Sequence, residues 1–172
     1  EIYVINEMAH VHGLKANVSV RINPDIDAHT HKYVTTGLYE NKFGISQHEF
    51  DKLIEILTKS EHINFIGLHF HIGSQITRVE EVFALECRRV NEIVAYFERN
   101  GLKVNNINLG GGLGVDYDDP DESAIADFRT WFRTISDNIV RREDQAVHVE
   151  PGRSLVAQCA SLISRVLFVK SG

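Results

Sequence analysis

The sequence predicts an α/β fold of parallel strands and, within that class, a partial (β/α)8 TIM barrel corresponding roughly to its second half. Two observations carry this. Short apolar runs alternate with amphipathic helical stretches at a step of roughly forty residues, the pattern of parallel strands joined by helical crossovers. The residues best suited to chemistry cluster at the C-terminal ends of those strands, where barrel active sites are built. A doubly wound sheet also fits the alternation; the clustering favours the barrel. Four strand–helix units make about half of one.

Each element has a local signal. Ile2, Ile5, Met8 and Ala9 recur at helical spacing, and Gly13 is placed to stop that helix. Asn17 to Ile22 reads as the first strand, ended by Asn23-Pro24 because proline has no N–H for the ladder. A long polar connection, Asp25 to Ile45, is richer in functional residue types than a plain linker. Ser46-Gln47-His48-Glu49 has the form of a capping box and opens a helix with Phe50, Leu53, Ile54 and Leu57 on one stripe. Asn64 to His71 is the second strand. Thr77-Arg78-Val79-Glu80 repeats the capping-box pattern before a long helix. Its Val79, Val82, Phe83, Val90, Ile93, Val94 and Phe97 should face inward, and Asn100-Gly101 closes it. Val104 to Leu109 is the third strand. A helix from about Ser123 to Val140 carries Ile125, Phe128, Phe132, Ile135 and Ile139. Ala146 to Glu150 is the fourth strand, and a last apolar run, Leu162 to Val169, is strand-like.

Hydrophobic residues make up 43% of the 172 and charged residues 24%, which suits one domain with a substantial core. A net charge of −6 and the lack of a basic run argue against nucleic acid as a partner. No signal peptide or apolar run of membrane length is present, so no membrane partner is expected and the cytoplasm is the default location. Cys87 falls in a predicted helix and Cys159 in a strand-like stretch. Such unlike contexts suggest neither a metal pair nor a disulfide, and both thiols are expected to be reduced and buried. The chain opens inside a helix without an initiator methionine, and a longer parent protein is expected.

The chemistry gathers at strand ends. Asn108-Leu109-Gly110-Gly111-Gly112-Leu113-Gly114 sets four glycines in five positions straight after a strand. Bare amides in such a loop suit a phosphate, although alone the run is equally a flexible turn. In His69-Phe70-His71, strand alternation puts both imidazoles on one face. Such a pair can bind a metal, with His148 and Glu150 as the one further pair to complete it, or it can form a polar layer inside a barrel. Gly73-Ser74 adds a small turn and a hydroxyl, which suits phosphate instead, so no metal is expected. Glu150-Pro151-Gly152-Arg153 joins a carboxylate and a guanidinium at one strand end. Alone, this reads as an ion pair. Beside a glycine phosphate loop, the carboxylate can hold a heteroaromatic nitrogen protonated while the arginine fork grips a phosphate or a carboxylate. Pyridoxal phosphate (PLP) needs that apparatus, because its electron sink depends on its ring nitrogen.

Together, His71-Ile72-Gly73-Ser74-Gln75, Gly110-Gly111-Gly112-Leu113-Gly114 and Glu150-Pro151-Gly152-Arg153 resemble the three late-barrel motifs of the alanine-racemase-like PLP decarboxylases. Upstream, Arg21-Ile22-Asn23-Pro24, His29-Thr30-His31, Thr35-Thr36-Gly37 and Asn41-Lys42-Phe43-Gly44-Ile45 resemble the diaminopimelate decarboxylases in order and spacing. The resemblance runs over nearly the whole chain. Ornithine and arginine decarboxylases share the last three motifs but match Asp25 to Ile45 less well.

The resemblance implies a carboxy-lyase of lysine biosynthesis that turns meso-2,6-diaminopimelate into L-lysine, with PLP as cofactor and a homodimer with shared sites. The alternatives are an ornithine- or arginine-type decarboxylase, a noncatalytic partner-binding homologue, and a metal-dependent barrel hydrolase. By the same resemblance His71 and Glu150 are the catalytic residues: His71 stacks on the pyridine ring and Glu150 pairs with its nitrogen. Ser74, Gly110, Gly111 and Gly112 hold the phosphate, and Pro151 and Gly152 belong to the same cofactor site. Arg153 serves the substrate carboxylate, the phosphate region, or both. His69 is expected to be a packing residue, and Lys42-Phe43-Gly44 either part of the rim or a turn. The family carries PLP on a lysine of an early strand, within a Lys-Ala-Asn type motif. Leu14-Lys15-Ala16-Asn17 invites that assignment, but Lys15 precedes its strand and should lie at the opposite barrel face. The lysine is therefore expected upstream of Glu1. Residues 1–160 then belong to the PLP-binding barrel and 161–172 begin the connection to a C-terminal β-domain. Alone, this segment is expected to be inactive.

Overall fold

The computed structural model describes residues 1–26, 43–119, 126–161 and 163–170. Helix α1 (Ile2–Val11) leads to β1 (Ala16–Arg21). A 3-10 turn, Gln47–Glu49, runs into α2 (Phe50–Lys59), followed by β2 (Ile63–His69), α3 (Val79–Arg99), β3 (Asn106–Asn108), α4 (Phe128–Asn138), β4 (Ala146–His148) and a single-turn helix, α5 (Arg153–Val156). The four strands are parallel and neighbour one another in chain order. A doubly wound sheet reverses its strand order partway; this sheet does not, and it has the arrangement of a barrel wall. The last residues of the strands, Arg21, His69, Asn108 and His148, stand side by side in register.

The core lies between the sheet and its helices. Leu68, Phe70 and Ile107 from the strands meet Val82, Phe83, Val90, Ile93, Val94 and Phe97 of α3, all buried. Leu53 and Leu57 of α2 are buried as their stripe predicted, and Phe50 sets its ring 5.1 Å from that of Phe97. Helix α4 lies against α3, with Trp131 fully buried and its ring 5.6 Å from Phe83. Here the structure corrects the sequence. Residues 123–125 lie outside the described residues, and Phe132, expected inside, is 48% exposed. The buried face is turned by one position towards Trp131, because the wider indole removes more apolar surface from water than a second phenyl would.

Four further expectations need correction. Neither capping box forms: the Ser46 side chain makes no cap bond, and the N-cap of α3 is Arg78, likewise without one. In the first case a 3-10 turn uses the Ser46 carbonyl to accept the Glu49 N–H at 3.0 Å; in the second Thr77 stands one residue too early. Helix α4 is capped properly, by Asp127 accepting the Thr130 N–H at 2.9 Å. In α1 the predicted apolar stripe is covered only in part: Ala9 is buried and Ile2 packs against the core, whereas Met8 is 55% exposed and Ile5 is exposed too. The run 163–170 forms no strand, and Ile163 and Phe168 are exposed, since a strand needs a neighbouring ladder to satisfy its backbone. Cys159 sits in an exposed turn after α5, whereas Cys87 is buried with its thiol pushed up to about 12 by desolvation. Among the described residues no helix is long and apolar enough to cross a membrane.

Candidate active site

Parallel strands aim their C-terminal ends at one pole, and beyond the ladder the chains stay joined there. The Phe70 N–H donates to the Asn108 carbonyl (2.7 Å), Leu109 N–H to His148 (3.0 Å) and Glu150 N–H to Gly110 (2.6 Å). The glycines make this approach possible. Gly110 and Gly112 have φ of +69° and +108°, a region side chains disfavour. A β-carbon on Gly110 would meet the Phe70 carbonyl at 2.5 Å and His71 Nδ1 at 2.8 Å. One on Gly111 would run into the Glu150 carbonyl, and one on Gly112 into that of Gly73. The loop is therefore built to let three strand ends close on one another, a requirement that spacing alone does not reveal.

This closure also uses some of the amides expected to face an anion. Gly110 N–H donates to Asn108 Oδ1 (2.9 Å), Gly111 N–H to His71 Nδ1 (3.3 Å) and Gly114 N–H to the Ile76 carbonyl (2.9 Å). Among the described residues, the N–H groups of Gly112 and Leu113 keep no protein partner. With Nδ1 of His71 accepting, that hydrogen bond assigns the ring proton to Nε2.

Glu150 is the electrostatic centre. Asn108 Nδ2 donates to its Oε1 at 2.8 Å, and His69 Nε2 stands 3.5 Å from its Oε2. The Asn108 hydrogen bond, with smaller help from His69 and His71 and against some desolvation, holds the carboxyl below its usual range. At neutral pH it is an anion, with its side chain 57% exposed at the open pole. His69, expected to be a packing residue, instead stands beside this carboxylate, its buried Nε2 too far away for a hydrogen bond. Asn108 bridges the glycine loop and the carboxylate with one amide, a role the sequence motif did not disclose. The signal that could have found it is alternation: Asn108 ends its strand in register with His69.

Arg153, at the start of α5, is held away from Glu150. Its Nη1 lies 3.2 Å from the Tyr117 hydroxyl and 3.4 Å from Gln75 Oε1, with Cζ 5.9 Å from the centre of the Tyr117 ring. Pro151 and Gly152 form the link between Glu150 and this helix, and Ser74 is half-buried after Gly73 at the end of β2. Phe43 and Gly44 dock on the C-terminal end of β1: the Arg21 guanidinium lies 5.3 Å from the Phe43 ring, and Ile45 N–H donates to Arg21. His29, His31, Thr35, Thr36, Gly37, Asn41 and Lys42 lie outside the described residues. Lys15 immediately precedes Ala16, the first residue of β1, and so stands at the opposite pole from Glu150. Among the described residues no three of His, Cys, Asp and Glu are grouped to hold a metal ion.

The donor set suits PLP. An anionic carboxylate answers a protonated ring nitrogen, an imidazole offers a flat face, and a hydroxyl with two unpartnered amides answers a phosphate. A barrel wall with this site at its C-terminal pole defines a PLP-binding barrel. Residues 1–157 match the family described as pyridoxal-dependent decarboxylase, pyridoxal binding domain, and the chain belongs to that family, with PLP as its cofactor.

Its relatives are more particular. The chain is 49% identical, over its whole length, to the diaminopimelate decarboxylase of Bacteroides thetaiotaomicron, and 35% identical over 99% of its length to that of Helicobacter pylori. It spans 44% and 41% of those proteins. A crystal structure of a variant of the Helicobacter pylori enzyme complexed with L-lysine superposes with a TM-score of 0.72, at 34% identity, covering 91% of this chain and 38% of that one. The arginine decarboxylase of Paramecium bursaria Chlorella virus, at 24% identity and a TM-score of 0.64, shares the fold; it covers 89% of this chain and 38% of its own.

Proposed function

We propose that the protein is a diaminopimelate decarboxylase, releasing CO2 from meso-2,6-diaminopimelate to leave L-lysine, and that this chain supplies the late strand ends of its active site. The observation that carries the proposal is Glu150, an anion fastened by Asn108 beside the glycine loop. When bound, PLP supplies a sink for the electron pair freed as the bond to the departing carboxylate breaks. This chain's residues prepare and aim that sink. Glu150 would hold a proton at the ring nitrogen, His71 would offer its flat face to the ring, and Ser74 with the Gly110, Gly111 and Gly112 loop would hold the phosphate. Pro151 and Gly152 carry the backbone from Glu150 to Arg153, whose fork takes the substrate carboxylate or the phosphate. Lys15, at the opposite pole of the sheet, is not the lysine that carries the cofactor.

The kinship with diaminopimelate decarboxylases supports the same substrate here, a homodimer and a cytoplasmic location. In the full-length protein, Glu150→Ala should retain PLP, seen by visible absorption, while L-lysine formation nearly disappears. Wild-type turnover in that variant would end the proposal.

A further inference from the structure

Gln75 closes the His71–Gln75 motif and so far has no role. Its φ is +60°, a left-handed backbone that residues with a β-carbon rarely adopt. The conformation delivers its side chain to the neighbouring loop. Nε2 donates to the Val115 carbonyl at 2.5 Å and Oε1 accepts the Val115 N–H at 3.2 Å. This two-point clamp settles which end of the amide is oxygen, since a flip would set donor against donor. The oxygen also faces Arg153 Nη1 at 3.4 Å. Two residues beyond Val115, the Tyr117 hydroxyl reaches the same Nη1 at 3.2 Å, with its ring 5.9 Å from Cζ. The guanidinium is thus steered from two sides by neutral groups. Neutral acceptors orient a cation without cancelling its charge, and they leave Nε and Nη2 to grip a carboxylate.

We infer that Gln75 is a positioning residue: by clamping Val115 it places both its own oxygen and the Tyr117 ring so that Arg153 presents its free donors to the amino-acid carboxylate. This rests on the reading of Arg153 as the anion-gripping residue. Gln75→Glu keeps the acceptor for the Val115 N–H but loses the Nε2 donor to the Val115 carbonyl and sets an anion against Arg153, which competes with the substrate for the fork. Gln75→Ala releases both the clamp and the acceptor.

The test uses the full-length, PLP-loaded protein, with KM and kcat measured separately and L-lysine affinity measured by calorimetry. Gln75→Glu should raise KM and weaken L-lysine binding about fivefold, and Gln75→Ala about threefold, with kcat and PLP content unchanged. In an Arg153→Ala background both effects should vanish. If Arg153→Ala weakens binding but the Gln75 variants do not, the inference falls and the role of Arg153 stands. If the Gln75 effects persist without Arg153, or kcat, PLP content and melting temperature fall together, Gln75 is merely a loop-shaping residue. If Arg153→Ala itself changes neither affinity, the underlying reading falls first.

Discussion

Glu86 allows a quantitative test of the interior. Its side chain is wholly buried in the middle of α3, and neither carboxyl oxygen has a hydrogen-bond partner among the described residues. Helix α2 precedes β2 and α4 follows β3, one on either side of α3 in chain order, and α4 packs directly against α3. Desolvation pushes the acid well above the ordinary carboxylate range, so Glu86 is buried as the neutral acid. The sign follows from linkage. A carboxyl whose folded value lies above its unfolded value of about 4.5 costs nothing below that pH. Stability then falls by about 1.4 kcal/mol for each pH unit between the unfolded and folded values, because the unfolded chain ionises first. Glu86→Gln keeps the shape and removes the titration. Unfolding free energies of wild type and variant in the full-length protein, from urea titrations at a series of pH values, should diverge in the variant's favour as pH rises above about 4.5, by about 1.4 kcal/mol per unit until the folded value is passed. Glu86→Leu should go further, since each unsatisfied buried polar group costs about 1–3 kcal/mol. A difference independent of pH would show that Glu86 is charged and paired in the native state, and would refute the reasoning.

Asn108→Ala should let the folded value of Glu150 rise towards the usual range, because its main hydrogen bond is gone. The acid limb of the kcat/KM profile should then move to higher pH, and an unmoved limb would show that Asn108 does not control this carboxylate. Glu150 itself stabilises the fold above about pH 4.5, a contribution lost as pH falls through its depressed folded value. Brief alkylation of the 172-residue chain at pH 8, followed by peptide mapping, should label exposed Cys159 and spare buried Cys87 until denaturant is added; early labelling of Cys87 would mean that α3 opens locally.

The strand–helix alternation was legible because each helix buries one continuous stripe, as Leu53 and Leu57 or Phe83, Val90 and Phe97 do. The choice of Trp131 over Phe132 was not, since both residues are apolar and the decision depends on the space left beside Phe83. Glu150 and Arg153 stood out as a motif, yet their adjacency in sequence alone reads as an ion pair. In the fold, Asn108 and His69 take one, while Gln75 and Tyr117 take the other. Such partners come from strand ends one or two βα repeats away in the sequence, and no local pattern announces them.

The contacts of Gly110, Gly111 and Gly112 also bear on how the site is acquired. Each of the three would collide, if given a side chain, with the backbone of a segment that follows β2 or β4: Phe70, Glu150 or Gly73. The phosphate loop is therefore a shape imposed by its neighbours. In an unfolded or partly folded chain it is only a flexible tether, without the paired amides or the carboxylate beside it. On the proposed assignment, the share of cofactor affinity that these strand ends supply arises only in the assembled wall. Free PLP stabilises that wall by RT ln(1 + [L]/Kd) and gives the scattered strands nothing to bind. During synthesis, the arrival of β4 rather than of the glycine run sets the earliest moment at which the site can recognise its ligand.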